Sequence, residues 1–227
     1  MASSPYKQPD QSALLEPLNI VNPKEKFTSE TFTSLCLASN RVILTSFKGS
    51  SVLSDLFANP HWIRTAHGIN GASADGRSLA IFAAYEAILN VYGLPDLRHL
   101  ATLKGPGSVG SFSFSPVGNE LAINSPAGVR IWNTETWQLA RDLTNFIGCL
   151  FMPDGQTFWL TSDFRTAGLY NYRTLELLLP LPTGTLPLAV SRDGRYLAAS
   201  LDARHLQVWD LADVRERLRQ LGLDWTE

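Results

Sequence analysis

Cysteine is scarce in this chain, a surplus of either charge is nearly absent, and long apolar runs are missing. Two cysteines in 227 residues, Cys36 and Cys149, exclude a disulfide framework. Their contexts, SLCLAS and GCLFM, read as apolar strands in which cysteine serves as a small hydrophobe. With 19 basic and 21 acidic residues the formal net charge is −2, so no basic excess points to nucleic acid or to an anionic membrane. No segment approaches the roughly 18 apolar residues of a spanning helix. The first 27 residues carry no continuous apolar stretch of the secretory kind, and a cytoplasmic location is the expectation. The four histidines, His61, His67, His99 and His205, pair with nothing at metal-ligand spacing, and no cofactor or metal is expected. Signatures of a serine nucleophile elbow, a P-loop and a kinase are absent as well, so no catalytic residue is assigned.

One motif of chemical interest is present. GPGSVG, residues 105–110, matches the G-x-G-x-x-G spacing of a dinucleotide fingerprint, which needs a helix after it to receive the pyrophosphate. Here SFSFS follows, and its period-two alternation predicts a strand. The motif therefore reads as a glycine-rich connection between strands.

What the chain does have is a repeat. The copies begin SADGRSLA, SPVGNELA, MPDGQTFW and SRDGRYLA, with turn glycines at Gly76, Gly118, Gly155 and Gly194. Aromatic anchors follow 14 to 16 residues later at Tyr92, Trp132, Tyr170 and Trp209, and successive anchors lie 40, 38 and 39 residues apart. A weaker copy precedes them in SNRVILTSFKGSSVLSDLFANPHWI, where Leu53 takes the anchor position without the glycine or the aromatic. The third copy shows the internal plan: GSFSFS, ELAINS, GVRIWN and WQLARDL, separated by turns rich in Gly, Asn, Pro and Thr. A period near 40 with four short strands per unit predicts an all-β β-propeller of four-stranded blades, about five of them visible.

In the last copy, SRDGRYLAASLDARHLQVWD, the S-x-D-G-x-x-L-A phrase and the Trp209-Asp210 dipeptide resemble a WD-repeat blade; Trp132-Asn133, Tyr170-Asn171 and Tyr92-Gly93 resemble degenerate versions of it. The ending WDLADVRERLRQLGLDW is similar to the C-terminal propeller portion of bacterial WD-repeat multidomain proteins, many of them linked to serine/threonine kinases. The resemblance implies a non-catalytic protein-protein interaction scaffold with protein partners. It also implies a buried network of Asp, Ser or Thr, and the anchor Trp, for which Ser200, Asp202 and Asp163 are the available members; the Gly-His pair that often joins it is missing. Without that network, blades would be held mainly by apolar packing.

Three segments follow: residues 1–26 as a polar leader, 27–210 as the propeller, and 211–227 as a helix and tail with Leu211, Val214, Leu218 and Leu221 on one face and Gly222 at its end. Loops between the second and third strands of the blades rise on one rim, which makes Tyr85, Phe164, Arg165 and Arg204 the candidate partner-binding residues. The alternatives are a propeller enzyme or small-ligand or carbohydrate binder working from the central channel, where the predicted first strands supply almost no charge, and a detached regulatory propeller of a kinase-like protein. A seven-bladed ring would need about 280 residues at this spacing, beyond the present length. The ring either closes with five blades, gains a strand from the first 30 residues, or is incomplete, and an unclosed edge invites self-association or completion by a partner.

Overall fold

The computed structural model describes residues 32–38, 41–46, 50–55, 61–64, 68–83, 87–94, 98–202 and 205–223. By its internal contacts the chain divides into two compact units, residues 1–70 and 71–227. The first holds a single antiparallel sheet of β1 (Phe32–Ala38), β2 (Arg41–Ser46), β3 (Ser50–Asp55) and β4 (His61–Arg64) in sequential order. The weak repeat copy, stripped of its turn glycine and aromatic, thus still forms a four-stranded sheet, with Leu53 on the third strand paired to Ile43.

Three further sheets repeat that order. They are β5 (Gly68–Ala72) to β8 (His99–Lys104) with β6 (Ser78–Ala83) and β7 (Ile88–Gly93) between; β9 (Ser111–Phe114), β10 (Glu120–Ser125), β11 (Gly128–Asn133) and β12 (Leu139–Leu143); and β13 (Gly148–Phe151), β14 (Thr157–Asp163), β15 (Thr166–Asn171) and β16 (Leu177–Pro180). The last sheet has only β17 (Thr185–Val190), β18 (Tyr196–Leu201) and β19 (His205–Asp210). These five sheets are the blades of an all-β, incomplete propeller. GPGSVG connects the fourth strand of blade two to the first strand of blade three, and no helix follows it, so the dinucleotide reading fails on geometry.

Local chemistry sets each hairpin. In blades two and five the D-G turn is built the same way: the hydroxyls of Ser73 and Ser191 donate to Asp75 and Asp193, whose carboxylates accept the amides of Arg77 and Arg195. Gly76, Gly155 and Gly194 sit at φ of 69°, 67° and 73°, a region where a Cβ is strained. Between third and fourth strands, Asn133 and Asn171 accept two backbone amides each and fix the turn. Among the described residues blade five has three strands, and the chain turns helical directly after β19. Asp210 caps α1 (Leu211–Gln220) by accepting the amides of Ala212 and Asp213, and Gly222 at φ 70° ends it. Leu211 is the one buried residue of α1, so the helix is seated by its first turn.

Apolar packing runs between consecutive blades. Ala80, Phe82, Leu89 and Val91 of blade two meet Leu121 and Ile123 of blade three. Ala122, Val129 and Ile131 of blade three meet Phe158 and Leu160 of blade four. Trp159, Ala167 and Leu169 of blade four meet Leu197 and Ala199 of blade five. Burial of each such Leu, Ile or Val contributes about 1.5–3 kcal/mol. The registers are superimposable, with second and third strands paired Ala80↔Val91, Ala122↔Ile131, Trp159↔Leu169 and Ala198↔Val208.

Among the described residues, the hydrogen bonds between Trp209 and Gln207 and between Asp202 and His205, and the indole of Trp132, do not join into the buried polar network implied by the WD resemblance. The Trp209 indole N–H donates to Gln207 at 3.1 Å, Asp202 accepts from His205 in its own turn, and the buried Trp132 indole nitrogen has no hydrogen-bond partner among the described residues. The four anchors Tyr92, Trp132, Tyr170 and Trp209 are half-buried and face Leu79, Leu121, Phe158 and Leu197 across their sheets. Inter-blade polar contacts are made instead by residues without a motif. Asn124 of β10 accepts the Cys149 amide at 3.0 Å and donates to the Cys149 carbonyl at 3.2 Å, both buried.

Tyr172 makes the second such contact. Its hydroxyl donates to Glu120 of the preceding blade, and Arg141 lies 4.2 Å over its ring. Burial, and then the Glu120 carboxylate, push the phenol from 10.0 up to about 12, against a smaller opposing pull from Arg141. A phenol with a raised folded-state pKa contributes stability below the unfolded value and loses it as pH climbs to the folded value. Stability is therefore expected to fall between about pH 10 and pH 12, and a Tyr172→Phe variant should fall less across that window while being weaker at neutral pH. Urea midpoints against pH for the two proteins measure this; parallel curves would refute it.

Candidate functional site

Two surfaces stand out in the second unit. The first is the rim formed by the turns between second and third strands. Phe164 and Arg165 form the tip between β14 and β15; Asp163 accepts the Arg165 amide at 2.7 Å and fixes the turn, leaving Phe164 with 74% of its surface in solvent. The connection into blade five bonds to both neighbouring tips: the Gly184 amide donates to the Arg165 carbonyl at 2.7 Å, and the Gly184 carbonyl accepts from the Asp202 amide at 3.3 Å. The blade-four and blade-five tips are thus held side by side. Tyr85 and Arg204, the other two rim candidates, lie outside the described residues. On the same rim, Arg130 bonds the Lys104 and Gly105 carbonyls, which ties the GPGSVG loop to blade three.

The second surface went unread in the sequence. On β19, Leu206 and Val208 are 76% and 72% exposed, and Leu188 and Tyr196 are exposed on the neighbouring strands. Their counterparts in earlier blades are closed off: Leu89, Val91, Val129 and Ile131 at 0%, Ala167 and Leu169 at 4% and 3%. The signal was available, because HLQVWD alternates as GVRIWN does. A groove of about 510 Å³ runs beside this strand, lined by Gln207, Val208, Trp209 and Asp210 of β19 and by Asp213, Val214 and Arg217 of α1.

Ionisable groups are spread through turns. Among the described residues no three of His, Cys, Asp or Glu gather as a metal site. Ser200, Asp202 and His205 lie within one hairpin, but the Ser200 hydroxyl donates to the Asp202 backbone carbonyl rather than to the imidazole, so no base activates it. Cys149 is free and buried, and burial together with Glu120 pushes its thiol well above the usual range, away from the reactive thiolate. The first strands SFSF, GCLF and TLPLAV carry no ionisable carboxylate. Asp210, the WD aspartate, is held below the usual carboxylate range by the Arg195 guanidinium, which donates to it at 2.8 and 3.1 Å.

No family model and no curated protein matches this sequence. Among solved structures, 1238 chains match, which marks a widely shared fold. One is a chain in the crystal structure of the mitotic checkpoint complex, 18% identical with a TM-score of 0.64 over 79% of this chain. The match spans 63% of that chain's length. At this identity the likeness is one of fold. No helix among the described residues is long and apolar enough to cross a membrane.

Proposed function

We propose that this protein is a non-catalytic interaction scaffold of WD-repeat type, which presents rim loops on a rigid sheet framework to a protein partner. The observation that supports this reading is Phe164: an aromatic held in solvent by an ordered turn, flanked by Arg165 and tied through Gly184 to the adjacent blade. Aromatic and arginine side chains dominate protein interfaces, and a preorganised backbone lowers the ordering cost of using them. The solved neighbour's presence in a multi-protein complex is in keeping with it.

The experiment is site-specific photo-crosslinking from position 164 in lysate of the native cells, with competition by unlabelled protein and by Phe164→Ala and Arg165→Ala variants. A single stoichiometric adduct that wild-type protein displaces and the variants fail to displace is expected, with the variants unchanged in melting temperature. Adducts indifferent to both variants would end the proposal for this rim.

A further inference from the structure

We propose that the last blade takes its missing fourth strand from another protein, as an extended segment paired antiparallel along β19 that continues into a sheet covering Leu206 and Val208. The inference deepens the scaffold reading, on which it rests, by assigning a second surface and the kind of partner it fits.

Three observations carry it. The other four blades each have four strands, whereas blade five stops at β19, whose outer edge pairs with no strand among the described residues. An unpaired edge is a template for strand addition. A groove lined by residues of β19 and α1 runs beside this strand.

The second observation is register. In each preceding blade of this unit the fourth strand sets a leucine against the third: Leu103 opposite Leu89, Leu143 opposite Val129, and Leu181, whose amide bonds the Ala167 carbonyl. The corresponding residue of β19 is Leu206. An incoming strand therefore needs an apolar residue opposite Leu206.

The third is continuity with interfaces already built. Leu206 and Val208 repeat, position for position, the pairs that blades two, three and four bury against their successor. In those blades the chain leaves the fourth strand and enters the next blade directly. One continuous segment, strand then sheet, would fill the edge and cover the face together. The occupant is thus a β-strand-forming partner with alternating apolar residues, as opposed to a helix or a charged peptide.

The test uses the full chain and a synthetic peptide of residues 136–146, TWQLARDLTNF, which is a fourth strand this protein already accommodates on β11. Labelled peptide should bind saturably to the full-length monomer and slow exchange of the Leu206 and Val208 amides, which lie on the side of β19 away from β18, by at least ~tenfold, as a newly paired edge does. A peptide with proline at the position of Ala140, and the protein variant Leu206→Glu/Val208→Glu, should each abolish binding; both substituted side chains are exposed, so the variant folds. Phe164→Ala should bind the peptide normally, which separates this surface from the rim. Leu206 and Val208 amides already protected in the free monomer, a concentration-dependent dimer that protects them by itself, or binding unaffected by the double variant would each overturn the proposal.

Discussion

Replacing Trp159 by alanine is expected to lower the free energy of unfolding by about 3–5 kcal/mol, the range for deleting a fully buried aromatic. Trp159 is completely buried on β14 at the position where blades two, three and five carry Ala80, Ala122 and Ala198. Its large ring fills the interface between blades four and five in place of the small residue used elsewhere, so its neighbours Leu169, Leu181 and Leu197 cannot close the void by small shifts. Its indole N–H points at the Met152 sulfur at 3.2 Å, a weak acceptor, so most of the loss is packing. Trp159→Phe should retain more than half of the stability lost in the alanine variant. Urea unfolding of the three proteins decides the matter; an alanine variant within about 1 kcal/mol of wild type would show that the interface relaxes around the site.

The second large effect is expected at Asn124. Its amide pairs with both the N–H and the carbonyl of Cys149 in the next blade and also donates to the Ser111 hydroxyl at 3.1 Å. Alanine would leave two buried backbone groups without partners, each at a cost of about 1–3 kcal/mol, for a total of about 2–6 kcal/mol. Ser111→Ala removes one of the three bonds and leaves the Cys149 pair intact, so it should cost under about 1 kcal/mol. Equal losses in both variants would mean that the Ser111 contact, and not the inter-blade clamp, holds the side chain. A further readout is Cys149 itself: alkylation of this thiol, negligible in the folded wild type, should become measurable in Asn124→Ala under native conditions as the first strand of blade four loosens.

Much of the blade architecture was legible because a repeat multiplies a weak signal. A single phrase such as SPVGNELA predicts little, but four copies at near-constant spacing fix the turns at Gly76, Gly118, Gly155 and Gly194 and the third strands at Tyr92, Trp132, Tyr170 and Trp209. The fold of GPGSVG followed from its neighbour, since SFSFS alternates as a strand. The helix after β19 was legible from its changed period and from Gly222. What stayed hidden were contacts between residues far apart in the chain. Nothing local marks Asn124 as the partner of Cys149, 25 residues on, or Glu120 as the acceptor for Tyr172, 52 residues on. Nor does the Trp209-Asp210 dipeptide reveal that the Asp210 carboxylate caps α1 and pairs with Arg195. The bare face of β19 was written in the alternation of HLQVWD, but it becomes visible only once the same positions are seen closed in three other blades.

The three apolar clusters of the second unit each join consecutive blades and no others. Such a chain behaves as a one-dimensional array, in which stability is a sum of unit terms and nearest-neighbour couplings. An interior unit is held by two couplings and the terminal one by a single coupling. Within this unit blades three and four carry two couplings each, so opening free energies should fall from the middle toward blade two at one end and blade five at the other, giving graded partial unfolding instead of one sharp event. Any ligand that supplies the absent coupling at that end would restore cooperativity as well as affinity, and the width of the melting transition would report its presence before any complex is isolated.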